Sequence, residues 1–222
     1  SAQKSKEMEN IMICEHITPL PEHVQNHAST IVELQDGSIL AAWFAGSREG
    51  AADVGIWGAR RDKSGWSKVF LLAKINGTPH WNPVLHRDGH EVILFFKVGA
   101  NCRLWRTYVM RSRDDGRTWT EPQALVPRNV GGRGPVKNKC IVLSDGSWLA
   151  PASSEIGRWQ AFVDRSDDKG LTWERSRLIK QTRSPVGKDK NGNDIKFGVI
   201  QPTLWESSPG HVHMLLRSTC GK

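Results

Sequence analysis

Short apolar runs on either side of an Asp-Gly dipeptide recur three times along the chain. The dipeptides begin at Asp36, Asp88 and Asp145, and each separates two apolar stretches, as in "TIVELQDGSILAAWF". Asp-Gly between alternating or continuous apolar residues is typical of a β-hairpin, because glycine readily adopts the positive φ of the tight turn. The pattern predicts three hairpins. Apolar residues do not recur at the spacing of three and four that indicates an amphipathic helix.

Each hairpin is followed by a third strand and a turn that contains tryptophan. Trp66, Trp119 and Trp173 lie 53 and 54 residues apart, and a fourth short strand follows each of them. Four antiparallel strands repeated at a period just above 50 residues are typical of one blade of a β-propeller. The sequence therefore predicts an all-β propeller. The predicted blades cover about residues 27–75, 80–128, 136–181 and 198–222.

The turn before tryptophan is written almost identically twice, as "SRDDGRTW" at 112–119 and "SDDKGLTW" at 166–173. The first unit, "RRDKSGWSK", keeps only the glycine and the tryptophan. We expect the Asp carboxylate to accept backbone N–H bonds, the glycine to supply a positive φ and the tryptophan to cover the core. This role is structural rather than catalytic.

The octapeptide at this spacing resembles the Asp-box of the sialidase superfamily, particularly its predicted-neuraminidase branch of bacterial neuraminidase repeat proteins. The resemblance covers about residues 26–222 and implies a six-bladed β-propeller. Six units would need roughly 318 residues, so the chain supplies about three and a half blades. Residues 1–25 are predicted to be an N-terminal extension or a closing strand. We expect a fragment, a truncated product, or a chain that pairs its open edges by self-association.

Composition restricts the partner. The 31 Lys and Arg against 23 Asp and Glu leave a formal charge of +8, which favours an anionic partner. The basic residues are scattered and no nucleic-acid-binding motif accompanies them, so an anionic carbohydrate is favoured over nucleic acid. No apolar run approaches 18 residues, so no membrane span is predicted. The four cysteines do not have the spacing of a metal site or a redox pair, and no metal or cofactor is predicted. The sequence does not predict the cellular compartment.

The first candidate for chemistry is "FAGSREGAADVGIW". It resembles the sialidase segment in which an Arg binds the substrate carboxylate and an Asp acts as acid/base, and this implies those roles for Arg48 and Asp53. A guanidinium offers a planar fork to a carboxylate, and a dry mouth would let Asp53 hold its proton near neutrality. The alternative is an exposed polar loop with local ion pairs.

The second candidate is "QPTLWESSPGHVHMLLRS", in which Arg217 matches a second substrate-binding Arg of the family. Gln201 stands where the family has the Glu that activates a tyrosine nucleophile, and an amide cannot take that proton. His27 stands near the place of the family's first Arg. The third Arg and the nucleophile would follow this chain, and Tyr108, the one tyrosine present, is expected to pack.

Other polar residues lie where the mouth of a propeller would be. Lys137, Lys139 and Glu155 would suit a uronate or a sialate, although lysines beside strands often only protect an edge. Three functions stay open. The first is a sialidase-like hydrolase of anionic glycans, the second is a glycan-binding propeller without catalysis, and the third is a uronate lyase that uses His27 or His80.

Overall fold

The structure is a computed structural model that describes residues 14–17, 24–181 and 185–219. Within these ranges it consists of β-strands joined by turns and contains no helix, which confirms the all-β prediction. The predicted N-terminal strand lies mostly outside the described residues. The strands are β1 Gln25–Glu33, β2 Ile39–Gly46, β3 Gly55–Asp62, β4 Gly65–Trp66, β5 Phe70–Ala73, β6 His80–Asp88, β7 Glu91–Val98, β8 Arg106–Ser112, β9 Gln123–Ala124, β10 Ile141–Val142, β11 Trp148–Ser154, β12 Gln160–Ser166, β13 Glu174–Arg175, β14 Pro185–Lys188, β15 Asp194–Lys196, β16 Val199–Ser208 and β17 His211–Ser218.

The strands form consecutive antiparallel sheets in chain order. Sheet 1 contains β1 to β5, sheet 2 contains β6 to β9 and sheet 3 contains β10 to β13. A separate hairpin of β14 and β15 precedes sheet 4, which is the hairpin of β16 and β17. Each of the three Asp-Gly dipeptides joins the first two strands of its sheet, as predicted. The arrangement is propeller-like, and the six-bladed closed ring remains a prediction.

Apolar side chains from successive sheets meet face to face. Phe44 of sheet 1 and Phe96 of sheet 2 belong to one buried cluster, while Phe95 and Trp148 belong to the next, between sheets 2 and 3. The second strands β2 and β7 are almost wholly buried. Sheets 1 and 3 cover the two faces of β7, whereas sheet 2 covers one face of β2 and a smaller apolar cluster that includes Trp57 and Ile17 covers the other. This burial explains why their sequences read as continuous apolar runs rather than alternating ones.

The Asp-box turns have the structural role that the sequence predicted. The Asp114 carboxylate accepts bonds from the Thr118 hydroxyl at 2.6 Å, the Thr118 amide at 2.8 Å and the Arg117 amide at 3.0 Å. These bonds, led by that of the Thr118 hydroxyl, hold the Asp114 pKa well below its usual range. Gly116 has φ +71° and its carbonyl accepts the Trp119 indole N–H at 3.0 Å.

The outer face of sheet 4 carries large apolar side chains in solvent. Trp205 is 42% exposed and Leu215 is 62% exposed, whereas Leu204 on the opposite face packs against Leu143 and Leu149 of sheet 3. A further sheet or a second chain would cover such a face in a propeller. Self-association through this face remains a prediction.

The same backbone irregularity occurs in, or shortly before, the first strand of each of the four sheets. Ala28, Asn82, Lys137 and Gln201 have positive φ values of 50°, 42°, 67° and 52°. In β1, β6 and β16 the pairing register shifts at this point, as expected for a β-bulge. The bulge of β1 lies beside the loop that joins β2 and β3, because Gln25 pairs with Gly46, and the bulge of β6 lies beside the loop that joins β7 and β8, because His80 pairs with Val98. Backbone irregularity and connecting loops therefore gather at one end of the sheets.

Candidate functional site

The loop between β2 and β3 carries Asp53 and folds back on its own serine. The amide of Ser47 donates to Asp53 Oδ2 at 2.9 Å and its hydroxyl donates to Oδ1 at 3.0 Å. Asp53 is exposed, and these bonds, led by that of the Ser47 amide, lower its pKa. The expectation of a dry environment that keeps Asp53 protonated is therefore wrong for the described chain. Asp53 is ionised at neutral pH.

A lysine that the sequence reading missed anchors the same loop. Lys74 Nζ donates to the carbonyls of Ala52 at 2.6 Å and Val54 at 2.7 Å, the two neighbours of Asp53. Its charge is also among the groups that lower the Asp53 pKa. Lys74 follows the last strand of sheet 1, so only the tertiary fold brings it to the loop. No local sequence motif predicts this contact.

Gln25 links His27 to the loop that carries Arg48. Arg48 is exposed, and the amide of the next residue, Glu49, donates to Gln25 Oε1 at 3.1 Å. The His27 ring Nε2 lies 3.4 Å from the same Oε1 and stacks on Phe44 with ring centroids 5.2 Å apart. The structure therefore brings His27 to the loop that carries Arg48.

A second group of polar side chains assembles around Arg217. Its guanidinium carbon lies 5.3 Å from the centroid of the Trp159 ring, and Nη1 lies 3.5 Å from Gln201 Oε1. Stacking on an aromatic face is a geometry that arginine favours, and it holds the planar fork in one orientation. The sequence predicted Arg217 and Gln201, but it gave no signal for Trp159, which comes from the loop between β11 and β12.

Glu155 and Cys102 complete this group. Glu155 is half-buried, and burial raises its pKa, while the Cys102 thiol hydrogen bond and the charge of Arg217 act in the opposite direction. Burial also raises the pKa of the Cys102 thiol, as does the Glu155 charge. Cys102 lies in the loop between β7 and β8, so sheets 2, 3 and 4 all contribute to this group. A lone cysteine in a loop offered no reason to select it from sequence.

Lys139 and its neighbour Asn138 connect the first strands across a cleft of about 370 Å³. Lys139 Nζ donates to the Ile31 carbonyl, and the Asn138 side-chain amide donates to the carbonyls of Gln201 at 3.0 Å and Pro202 at 2.8 Å. Lys139 and Asn138 thus link sheet 3 to sheets 1 and 4.

The neighbouring Lys137 is exposed and lines the same cleft. It has the positive φ of the bulge position. A flexible cation at this position is accessible to an anionic ligand, so its predicted role in binding stays a prediction.

His80, the other histidine considered for lyase chemistry, has a structural role. His80 is fully buried, its Nε2 accepts the Ile75 amide at 3.0 Å and its Nδ1 donates to the Thr78 carbonyl at 2.9 Å. Burial lowers its pKa to about 4, so it is neutral at pH 7.

Tyr108 stacks on Phe96 with ring centroids 6.0 Å apart, as predicted for a packing role. Across the described residues no cluster of metal-ligating side chains and no helix able to span a membrane is found.

Comparison with known proteins agrees with this architecture. The sequence profile of the BNR repeat-like domain matches residues 37–222. No curated protein matches the sequence. A protein of unknown function from Dyadobacter fermentans DSM 18053 has a TM-score of 0.66 at 14% identity, over 90% of this chain and 64% of that one.

Two sialidases have structures that resemble this chain with similar TM-scores and sequence identities. The Hadza microbial sialidase Hz136 has a TM-score of 0.66 at 15% identity, over 88% of this chain and 44% of its own. The Trypanosoma rangeli sialidase in complex with the inhibitor DANA has a TM-score of 0.62 at 16% identity, over 88% of this chain and 36% of its own. This chain therefore spans only part of the length of these proteins, and the likeness shows a shared fold. The fold is similar to that of sialidases, as the repeats predicted, and because the profile match covers most of the sequence, the protein belongs to the BNR repeat-like family.

Proposed function

We propose that this chain provides part of a sialidase-like glycoside hydrolase that acts on anionic glycans of the sialic acid or uronic acid type. The observation that carries the proposal is the guanidinium of Arg217, which is stacked on Trp159 and lies 3.5 Å from Gln201 Oε1. An oriented planar cation suits a sugar carboxylate, which it can bind through two parallel hydrogen bonds. The formal charge of +8 favours the approach of the same class of ligand.

In this proposal Arg217 and Arg48 bind the carboxylate of the sugar. Asp53 is the acid/base, on a loop that Lys74 and Ser47 hold in one conformation. An ionised Asp53 first has to take a proton, so the acidic form that protonates a leaving group becomes available as the pH falls. His27, Lys137, Lys139, Glu155 and Gln201 are proposed to border the bound sugar.

Two observations favour a second candidate, a glycan-binding propeller without catalysis. Gln201 cannot activate a nucleophile by accepting a proton, and Asp53 has a lowered rather than a raised pKa. Both features are compatible with carboxylate recognition by Arg217 alone. A uronate lyase that uses His80 is disfavoured, because both ring nitrogens of His80 are hydrogen-bonded inside the protein. His27 is the histidine that remains open to that chemistry.

A product-resolved glycan assay separates these candidates. Sialosides and uronate-containing oligosaccharides are offered together to the wild type, to Asp53→Asn and to Asp62→Asn, an exposed aspartate at the opposite end of β3. Free sialic acid or a reducing sugar that disappears only in Asp53→Asn supports the hydrolase. Unsaturated uronate products would indicate a lyase. Saturable binding without any product would support the glycan-binding candidate.

A further inference from the structure

A cleft of about 370 Å³ opens between β1, the segment that leads into β10, and β16. Its volume is within the range of about 300–1,000 Å³ that sites for small molecules occupy. Two lysines, three residues with hydroxyl groups and one asparagine line it, and no aspartate or glutamate is among its described lining residues. The cleft therefore presents positive charge and hydrogen-bond donors without a carboxylate of its own.

The ammonium of Lys139, in this cleft, has more donors than acceptors. A lysine ammonium carries three N–H donors. Lys74 directs its donors to three backbone carbonyls, whereas Lys139 has one acceptor among the described residues, the carbonyl of Ile31. Burial lowers the pKa of Lys139, so the protein removes water from this ammonium without replacing all of its hydrogen bonds. An anion in the cleft would supply the missing acceptors.

Lys137 brings a second cation to the same cleft. Its side chain is exposed and forms neither an ion pair nor a hydrogen bond with any described residue. Lysines that only protect a sheet edge point into solvent and need no cleft. Here Lys139 donates across to sheet 1, and Lys137 lines the same space. Edge protection alone therefore does not account for the pair.

The asparagine between the two lysines fixes the segment that carries them. The Asn138 side-chain amide donates to the carbonyls of Gln201 at 3.0 Å and Pro202 at 2.8 Å, both in β16. The segment is thus attached to sheet 4, and the Lys139 side chain attaches it to sheet 1 as well. Donors that are held in place before binding lose less conformational entropy when a ligand arrives.

The kind of donor favours a tetrahedral anion over a carboxylate. A planar carboxylate is matched best by the planar fork of arginine, and no arginine is among the described lining residues. An ammonium acts as a point charge and is a common partner of phosphate. The lining comes from three sheets, so its donors can reach an anion whose oxygens point in several directions.

We propose that this cleft binds a tetrahedral oxyanion, a sulfate or a phosphate group, through Lys137 and Lys139. A free ion and an ester on a glycan present the same chemistry. The ester would deepen the proposed function, and that part of the inference rests on it, because Gln201 connects the cleft to Arg217. The Gln201 carbonyl accepts the Asn138 amide, and its Oε1 lies 3.5 Å from Arg217 Nη1.

Titration of the nitrogen-15-labelled 222-residue chain with sodium sulfate tests the cleft. Sodium chloride keeps the ionic strength constant, because salt screens exposed charges, and the buffer contains no phosphate. The amide signals of residues 29–31, 137–139 and 203–204 should shift and reach saturation. Shifts that spread evenly over the exposed lysines, or that do not saturate, would overturn the proposal.

Substitutions of the two lysines give a sharper result. Lys137→Met and Lys139→Met should each weaken sulfate binding by about tenfold or more, the loss expected for one charged hydrogen bond. Lys68→Met, at an exposed position outside the cleft, should bind as the wild type does. Lys139→Met also loses its bond to Ile31, so Lys137→Met, whose side chain has no described partner, is decisive if Lys139→Met does not fold. Equal sulfate affinity in the wild type and Lys137→Met would contradict the site.

The two sources of the oxyanion are separated by comparing sodium sulfate, a sulfate ester of galactose, and galactose itself. Binding of the ester that is tighter than that of sulfate, and that weakens in Lys137→Met, supports an ester on the glycan. Equal binding of both sulfates, with none of galactose, supports a site for the oxyanion alone. Sulfate binding in a chain that binds neither sialic acid nor glucuronic acid would overturn the proposed function and support the cleft as an anion site. Binding of sialic acid without binding of either sulfate would overturn this inference and leave the proposed function standing.

Discussion

The guanidinium of Arg133 and the carboxylate of Asp164 form an ion pair of 2.7 Å, in which Asp164 is completely buried. The Gly134 amide donates to the second carboxylate oxygen at 2.5 Å, and the Arg133 carbonyl accepts the ammonium of buried Lys97 at 2.8 Å. Asp164 lies in sheet 3 and Lys97 lies in sheet 2, so this network connects two successive sheets by polar groups beside their apolar contact. Buried charges of this kind make stability sensitive to pH.

Lys97→Met should remove a pH dependence on the alkaline side. Burial lowers the Lys97 pKa to about 7, so between about pH 7 and 9 the unfolded chain binds a proton that the folded chain has lost. The contribution of Lys97 to the free energy of unfolding should therefore rise with pH there, by at most about 1.4 kcal/mol per pH unit, and should be constant below about pH 7. In Lys97→Met this rise should vanish. Urea unfolding across this range measures it.

The exposed Lys63 provides the control, because Lys63→Met should keep the rise. Above about pH 9 the buried Cys140 thiol acts the opposite way, since burial raises its pKa and the unfolded thiol ionises first. The comparison is therefore made below that value. A wild type whose stability is flat between pH 7 and 9 would contradict a neutral Lys97 in the folded state.

His86→Phe should weaken the loss of stability in acid. His86 is buried against Trp148 with ring centroids 4.4 Å apart, and its Nε2 has no hydrogen-bond partner among the described residues. Burial lowers its pKa to about 4, so between about pH 6.5 and 4 the unfolded chain takes up a proton first and stability falls. The full loss from His86 is up to about 3 kcal/mol. Phenylalanine keeps the ring contact without the titration.

Thermal melting between about pH 7 and 5 checks this prediction. His86→Phe should melt at least as high as the wild type at pH 5, and the exposed His90→Phe should show the wild-type acid dependence. His80 remains in both proteins and has the same direction of shift, so a residual decline is expected. An unchanged slope in His86→Phe would show that His86 is not buried as a neutral ring.

Ser166→Ala should destabilise the Asp-box of sheet 3. Ser166 is 2% exposed, and its hydroxyl accepts the Gly170 amide at 2.7 Å and donates to Asp168 at 2.7 Å. The substitution leaves the buried Gly170 amide without a partner, which costs about 1–3 kcal/mol. Chemical denaturation should show this loss, and Ser29→Ala at an exposed position should change stability by less than about 0.5 kcal/mol. Equal stability of the two variants would contradict the role of the octapeptide.

The hairpins and the Asp-boxes could be predicted from sequence because their causes are local. An Asp-Gly turn between apolar runs, or a Ser, an Asp and a Gly within five residues, carries its own hydrogen-bond partners. The site differs, because Trp159 beneath Arg217 and Cys102 beside Glu155 come from loops far away in sequence. The same limit of prediction applies to Asp53. The segment that contains it could be recognised from sequence, but its two hydrogen bonds from Ser47 and its exposure to solvent could not.

Lys74→Met should change the pKa of Asp53 although Asp53 itself is not substituted. The substitution removes two hydrogen bonds to the carbonyls on either side of Asp53 and one of the charges that lower its pKa. We expect the Asp53 pKa to rise and the amides of residues 51–54 to exchange faster with solvent. Carbon-13 titration of the Asp53 carboxyl and amide hydrogen exchange measure both, with the exposed Lys68→Met as the matched control. If Lys74→Met altered neither, the loop would be held by Ser47 alone, and acid/base chemistry at Asp53 would not depend on the ammonium group.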